Sequence, residues 1–379
     1  MRFNPGIPAR RLALRALLAL IAVAGQTSVA NAQTYLIDVS NVGDAVVIEQ
    51  AKPGYPRGLV PVGQDGWVRM HFVITANGVA VDPIIIDSSG GTPFEAEATQ
   101  SARTWRFAPA APDAELPNNL VNIRTRIRRG MNTPGLDFMR VYNSIIKKIS
   151  AERIDAARDK VDQVQGKGGW NLYESTLLWM LNGRLAASAA GKLEAYQRAL
   201  SISTQRSLSN KDRLQLLGKI FMLQDEAGHF AAALRTFARL NRIDESSEVA
   251  AELAPRAAEI EALLSSDAAL AARATIYNPC NCEAGQALWY YRPARRTFSF
   301  ANLNGNVERF EARCDNHRIR DAVTAGKSWT LAPEWGNCRV FVFGDDGSSF
   351  DFVEQPIEAD KQNADEAAVA RNHVLDRRN

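Results

Sequence analysis

The stretch from Gly66 to Asp87 limits the fold most. Val68, Met70, Phe72 and Ile74 alternate with Arg69 and His71. That period of two puts one strand face in a core and the other in water, which makes His71 a surface residue beside Arg69. Asn77-Gly78 is a hairpin turn signal, and Val79 to Asp87 is the returning strand. A helix then opens at Thr92-Pro93-Phe94-Glu95, with Thr92 as N-cap, Pro93 at the first helical position and Glu95 completing a capping box. Phe94, Ala98, Ala102 and Trp105 fall on one helical stripe that faces the sheet. After the exit Trp105-Arg106-Phe107-Ala108-Pro109, Leu120 to Arg128 is a third strand. The order is β-β-α-β.

This stretch resembles the C-terminal domain of TonB-family energy transducers. The resemblance is carried by Tyr55-Pro56, the Gly66 to Ile74 strand, Asn77-Gly78, Asp87-Ser88-Ser89-Gly90, Phe94 and the run Trp105, Arg106, Phe107, Ala108, Pro109. In that family the domain sits in the periplasm and binds the TonB box of outer-membrane transporters by β-strand addition. The resemblance therefore implies a module for binding an envelope or outer-membrane protein segment, with a third strand whose edge offers unpaired backbone groups. A transducing TonB carries a membrane helix, a long Pro-rich spacer and then this domain at its C-terminus. Here Gln33 to Pro53 holds one proline, and about 250 residues follow the domain. The fold and binding mode carry over; the pulling machinery does not.

Within the third strand, Asn122, Arg124, Arg126 and Arg128 share one face by the period of two. They form either a solvated face or a basic strip that receives acidic partner segments or anionic envelope polymers.

The chain has 379 residues and a formal net charge of +3. Its first 32 residues hold Arg2, Arg10, Arg11 and Arg15 and no acid, so the rest is close to neutral and has no global footprint for nucleic acid. Arg10, Arg11 and Arg15 precede the apolar run Ala16 to Ala24, and Ala30-Asn31-Ala32 supplies a small-residue cleavage site. This is the layout of a secretory signal peptide over residues 1–32, with Gln33 as the first mature residue. A spanning helix needs about 20 apolar residues, roughly twice this run. The expected place is the periplasm, with an inner-membrane anchor only if the signal stays uncleaved.

Residues 134–274 are rich in Ala, Leu, Arg and Glu, with breaks at Gly166 to Gly169, Gly191 and Asp244. Leu216 to Leu240 and Gly191 to Leu200 weakly echo the tetratricopeptide pattern at a spacing of about 41 residues, so degenerate repeats and a plain helical bundle both fit. Trp170, Leu172, Tyr173, Leu177, Trp179 and Met180 are expected to knit the first hairpin, and His229, after Gly228, is an inter-helix turn residue.

Residues 275–355 carry short aromatic strands: Leu288 to Tyr291, Phe298 to Phe300, Val307 to Cys314, Trp329 to Leu331, Arg339 to Phe343 and Phe350 to Phe352. Such spacing suggests a compact sandwich or barrel. All four cysteines lie here: Cys280, Cys282, Cys314 and Cys338. In an exported chain they predict two disulfides. Cys314–Cys338 is the preferred bond because it joins the end of one strand to the start of another; Cys280 and Cys282 then pair in a tight ring, or both pair across. Cys280-Asn281-Cys282 lacks metal-ligand spacing, and His317 alone does not supply it. The tail 356–379 is charged and apolar-poor.

The sequence contains no Gly-rich phosphate loop, no His-Glu-x-x-His and no nucleophile elbow, and Asp345-Asp346 before Gly347 is a hairpin turn. The expected fold is multidomain α+β: a TonB-like domain over 33–130, a helical hairpin array and a small all-β disulfide domain. The expected function is a non-enzymatic adaptor without cofactor or metal that captures a partner segment by strand addition. The alternatives are a membrane-anchored transducer and an unrecognised cell-envelope hydrolase.

Overall fold

The computed structural model describes residues 35–41, 47–51, 53–59, 65–75, 77–88, 92–108, 116–125, 133–203, 206–278, 287–315 and 317–356. The expectations for residues 1–32, for Arg126 and Arg128, for Cys280 and Cys282, and for the tail from 357 lie outside these residues.

The first sheet has four antiparallel strands in the order β1-β6-β3-β4. They are β1 (Tyr35–Asn41), β3 (Gly66–Ile74), β4 (Ala80–Ser88) and β6 (Leu116–Thr125). Helix α1 (Thr92–Thr104) lies across one face. Val68, Met70, Phe72 and Ile74 from β3 pack there with Phe94, Ala98, Ala102 and Trp105, as the two periodicities predict. A ribbon of β2 (Val47–Glu49) with β5 (Arg106–Phe107) runs beside them. The third strand begins at Leu116, four positions before the expected start, and pairs as far as Leu116 with Ile74.

Two glycines explain the tightness of this unit. Gly78 has φ of 72° and its carbonyl oxygen accepts from Phe107 N at 2.9 Å. A Cβ there would meet Phe107 O at 2.0 Å, so the turn needs glycine both for its conformation and for the approach of β5. At Gly66 a Cβ would meet the Phe94 ring at 2.4 Å, so this gap lets the helix lay its first aromatic on the strand.

Seven further helices follow: α2 (Leu136–Ser150), α3 (Ile154–Lys167), α4 (Leu172–Leu185), α5 (Ala189–Ile202), α6 (Asn210–Glu226), α7 (Phe230–Asp244) and α8 (Glu248–Leu264). Each packs against the next in the chain. Asn171 and Ser209 cap α4 and α6 through full capping boxes. Gly191 is not a break: it lies in the first turn of α5, where its N–H bonds the Ser188 cap. Trp170 packs on Phe138 and donates to Val164 O at 2.7 Å, tying α2, α3 and α4 together.

The helical stretch ends at Leu264, ten positions before the expected limit. Residues Leu270–Thr275 form β7, whose alternating buried and exposed positions belong to a sandwich. Its sheets are β11-β10-β13-β8 and β12-β9-β14-β7. The strands are β8 (Leu288–Tyr291), β9 (Thr297–Asn304), β10 (Val307–Cys314), β11 (Arg318–Ala322), β12 (Ser328–Thr330), β13 (Cys338–Gly344) and β14 (Ser349–Glu354). Phe298, Phe300, Phe310, Phe350, Phe352 and Trp289 fill the space between the sheets. Cys314 and Cys338 stand opposite each other on β10 and β13 and are disulfide-bonded, with Cα atoms 3.9 Å apart.

The face of the first sheet away from α1 is not wet. Trp67 packs with Leu172, Ile202 and Trp179 of α4 and α5, and Asp65 Oδ2 accepts from Leu172 N at 3.2 Å. Further along, Ile84 and Ile86 meet Leu288, Tyr290, Phe341 and Phe343 of the sandwich.

Candidate partner-binding edge

The resemblance places partner capture at the outer edge of β6, and in the structure that edge is already occupied. β1 pairs with β6 in unbroken antiparallel register from Tyr35↔Thr125 to Asn41↔Asn119. On its other side β6 pairs with β3 from Gly66↔Thr125 to Ile74↔Leu116. The expectation of unpaired backbone on the third strand is therefore corrected: the chain's own N-terminal strand satisfies it. Leu36 to Ser40 shows the signal that a sequence reading passed over, with Ile37 and Val39 alternating with Asp38 and Ser40. Among the described residues β1 pairs with β6 alone, so the open border of the sheet is the outer side of β1.

Of the proposed strip, Asn122 stands in register with Asp38 and Arg69, and Arg124 with Leu36 and Trp67. The motif residues serve the fold. Tyr55 is buried, meets Phe94 edge-on at 5.8 Å and donates from its hydroxyl to Leu59 O at 3.2 Å. Pro56 O accepts from Leu59 N at 3.0 Å, shaping the same turn. Trp105 is wholly buried, and its Nε1 donates to Ala51 O at 2.9 Å and to Ser101 Oγ at 3.2 Å. Phe107 is buried beside Phe72, and Arg106 is the exposed member, its Nη1 donating to Trp105 O at 2.9 Å. Glu95 is buried and accepts from Ser88 Oγ at 2.5 Å; burial raises its pKa.

His71 is not a surface residue. It is 1% exposed, its ring lies 4.9 Å from Phe341, and Arg313 Nη1 sits 3.2 Å from its Nδ1. A guanidinium only donates, so Nδ1 is the acceptor and the imidazole is neutral. Arg313 is itself 1% exposed. Its Nη1 also donates to Asp82 O at 3.1 Å and its Nε to Glu311 Oε1 at 2.5 Å. Glu311 further accepts from Arg318 Nε at 2.5 Å and Arg320 Nε at 3.0 Å, while Arg318 Nη1 reaches Asp82 Oδ2 at 2.5 Å. This buried joint locks the outer face of the sandwich onto β3 and β4. Burial pushes the Arg313 pKa down, against the pull of Glu311. Residues of β10 and β13 are buried on both faces, which is why Val340-Phe341-Val342-Phe343 shows no alternation.

A second buried pair joins β4 to α5. Asp87 Oδ1 lies 3.2 Å from Arg198 Nε, close enough for an ion pair yet poorly aligned for a hydrogen bond. Burial raises the Asp87 pKa to about 6, with Arg198 and Arg69 pulling the other way. His229 caps nothing; its Nε2 lies 3.1 Å from Arg273 O, joining the start of α7 to the sandwich, and burial lowers its pKa. Among the described residues no group of three or more His, Cys, Asp or Glu is placed to hold a metal ion. Nor is any described helix long and apolar enough to cross a membrane.

The β-β-α-β unit, to which β1 adds at β6, is the part of the chain that matches known proteins. The family model for the Gram-negative bacterial TonB protein C-terminal matches residues 51–128. Protein TonB of Yersinia enterocolitica is 36% identical over 67 residues, 17% of this chain and 26% of that protein. The chain thus spans about a quarter of the length of that relative. The solution NMR structure of the Pseudomonas aeruginosa TonB C-terminal domain is 23% identical, with a TM-score of 0.22, and the match covers 24% of this chain and 98% of that one. Residues 51–128 match the TonB C-terminal family model; the helices and the sandwich lie beyond that match.

Proposed function

We propose that the protein is a non-enzymatic periplasmic adaptor whose TonB-type domain captures a segment of an envelope or outer-membrane protein at β6. The incoming strand takes the place of β1. One observation carries the reading: β6 already accepts an added antiparallel strand of seven residues, Tyr35–Asn41, drawn from a distant part of the chain. Strand addition draws its affinity from the backbone, so a segment of similar length competes for the same bonds. With β1 in place the competent state is a minor one, and apparent affinity falls by its fraction. Asn122 and Arg124 of β6, with Arg126 and Arg128 after it, are the proposed contact strip. Residues 133–356 serve as the scaffold that holds the domain, in a layout of helical array followed by sandwich.

Isothermal titration with a TonB-box peptide of an outer-membrane transporter tests this on two chains, one starting at Gln33 and one starting at Val42. The chain without β1 is expected to bind at least about tenfold more tightly, and Arg124→Glu in that chain is expected to weaken binding. Equal affinity of the two chains, or no binding by either, overturns the exchange reading.

A further inference from the structure

Where α7 meets the sandwich, a cleft of about 330 Å3 is walled by arginines from separate parts of the chain. Arg235 comes from α7, while Arg292, Arg295 and Arg296 come from the β8–β9 turn. Asn337, next to the disulfide at Cys338, completes the rim.

These arginines divide by what their donors do. Arg295 is structural: it is 5% exposed and donates to the carbonyls of Leu263, Ser266, Ala268 and Gln355, which closes the end of α8. Arg296 Nη1 bonds Ala332 O at 3.2 Å and Gly336 O at 2.8 Å. Arg292 reaches the neutral Asn337 Oδ1. Arg235 makes no hydrogen bond among the described residues. Arg339, in register beyond the Val340↔Tyr291 pair of β13 and β8, does not line the cleft; its guanidinium lies over the Tyr290 ring, 5.8 Å from the centroid, and its buried Nη1 has no hydrogen-bond partner among the described residues. Among those residues, too, no carboxylate forms an ion pair with Arg235, Arg292 or Arg339. The one acid that approaches, Glu354, turns Oε2 to the backbone N–H groups of Ala294 and Arg295, at 2.7 and 2.6 Å.

Two guanidiniums, those of Arg235 and Arg292, thus line the cleft without a carboxylate partner among the described residues. That arrangement costs free energy in the empty protein, because like charges repel. An arrangement of this kind is relieved by an oxyanion that accepts several N–H bonds at once, and forked guanidiniums suit phosphate oxygens.

We propose that the cleft lined by Arg235, Arg292 and Arg296 is a binding site for a phosphate monoester or diphosphate group. The cleft has room for the headgroup or sugar that carries it. Arg235 of α7 and Arg292 of the β8–β9 turn hold the anion between them. The site is separate from the β6 edge, and neither depends on the other.

The test is calorimetry on the full chain from Gln33 at low ionic strength, with inorganic pyrophosphate as probe. Wild type is expected to bind, and Arg235→Gln and Arg292→Gln are each expected to weaken binding about tenfold. Lys147→Gln, on an exposed basic stretch of α2, is expected to leave it unchanged. Without anion, Arg235→Gln should melt at or above the wild-type temperature, since it removes repulsion and breaks no bond; a structural role would lower it. Two further arms locate the source. Glucose 6-phosphate binding that is lost in Arg235→Gln assigns the site to soluble esters. Cosedimentation with vesicles containing phosphatidic acid, lost in the same variant, assigns it to lipid headgroups. No binding of any probe by wild type, or equal binding by Arg235→Gln, overturns the proposal.

Discussion

The β1-β6-β3-β4 sheet and the β11-β10-β13-β8 sheet are both four-stranded and antiparallel, and they lean on each other through His71 and Arg313. They are held together differently. The sandwich sheet is built from strands near in sequence, and its two central strands are bolted together by Cys314–Cys338. The TonB-type sheet finishes with β1, which meets β6 across a long chain separation and has no described strand on its far side. Closing a longer loop costs only slightly more entropy, so distance alone does not weaken β1. What separates the two sheets is that one has a covalently fixed centre buried on both faces, while the border of the other rests on a single ladder. The first suits a permanent wall and the second an exchangeable strand.

The largest effect expected is at the joint the two sheets share. Glu311→Ala leaves Arg313 buried without its carboxylate, so chemical denaturation should report a loss of about 3–5 kcal/mol. A loss below about 1 kcal/mol would mean that the sheets hold together without the charge cluster. Next, Cys314→Ala with Cys338→Ala acts on the bolted sheet alone. The chain-entropy model gives about 3 kcal/mol for a loop of this size. Urea unfolding should show the loss, with β6 capture of a peptide unchanged; a parallel loss of capture would show that the two sheets are not independent.

The smallest effect is a slope. The Asp87 carboxyl has its folded pKa raised to about 6, above its usual 3.8, so the folded state binds this proton more readily than the unfolded one. Its burial cost is fully present above pH 6 and disappears as pH falls from about 6 toward 4. Stability should therefore gain up to about 1.4 kcal/mol per pH unit from this group over that window. Asp87→Asn should remove that component from a stability-versus-pH series; an identical slope in the variant would place the carboxyl in a better hydrated setting than its burial suggests.

Much of this architecture was legible because local rules and tertiary packing agree. The β3–β4 hairpin, the helix at Thr92 with its Phe94-to-Trp105 stripe, and the limits of β8 and β10 all follow from period and turn chemistry. The Cys314–Cys338 bond follows from strand ends. The reading failed where one part of the chain covers another. His71 looks like part of a water face because the alternation is real, but the surface it meets is Arg313 and Phe341, supplied by residues far downstream. β7 was hidden by its alanines, since Leu270-Ala-Ala-Arg-Ala-Thr275 fits a helix by composition and a strand only by alternation. The covered β6 edge was missed for a related reason: a short strand such as Tyr35–Asn41 announces that it is extended, not which neighbour it will join. The arginine cleft left no trace in spacing, because its walls come from α7, the β8–β9 turn and the segment before β13.

The buried joint also sets an order of events during synthesis. His71, Asp82 and Ile86 leave the ribosome early, but Glu311, Arg313 and Phe341, which cover them, are made near the end of translation. Until those last strands arrive, one side of the nascent TonB-type sheet is a bare apolar and polar surface. A chain cut short before β13 would therefore be sticky as well as incomplete, and a holding chaperone would have a defined surface to shield.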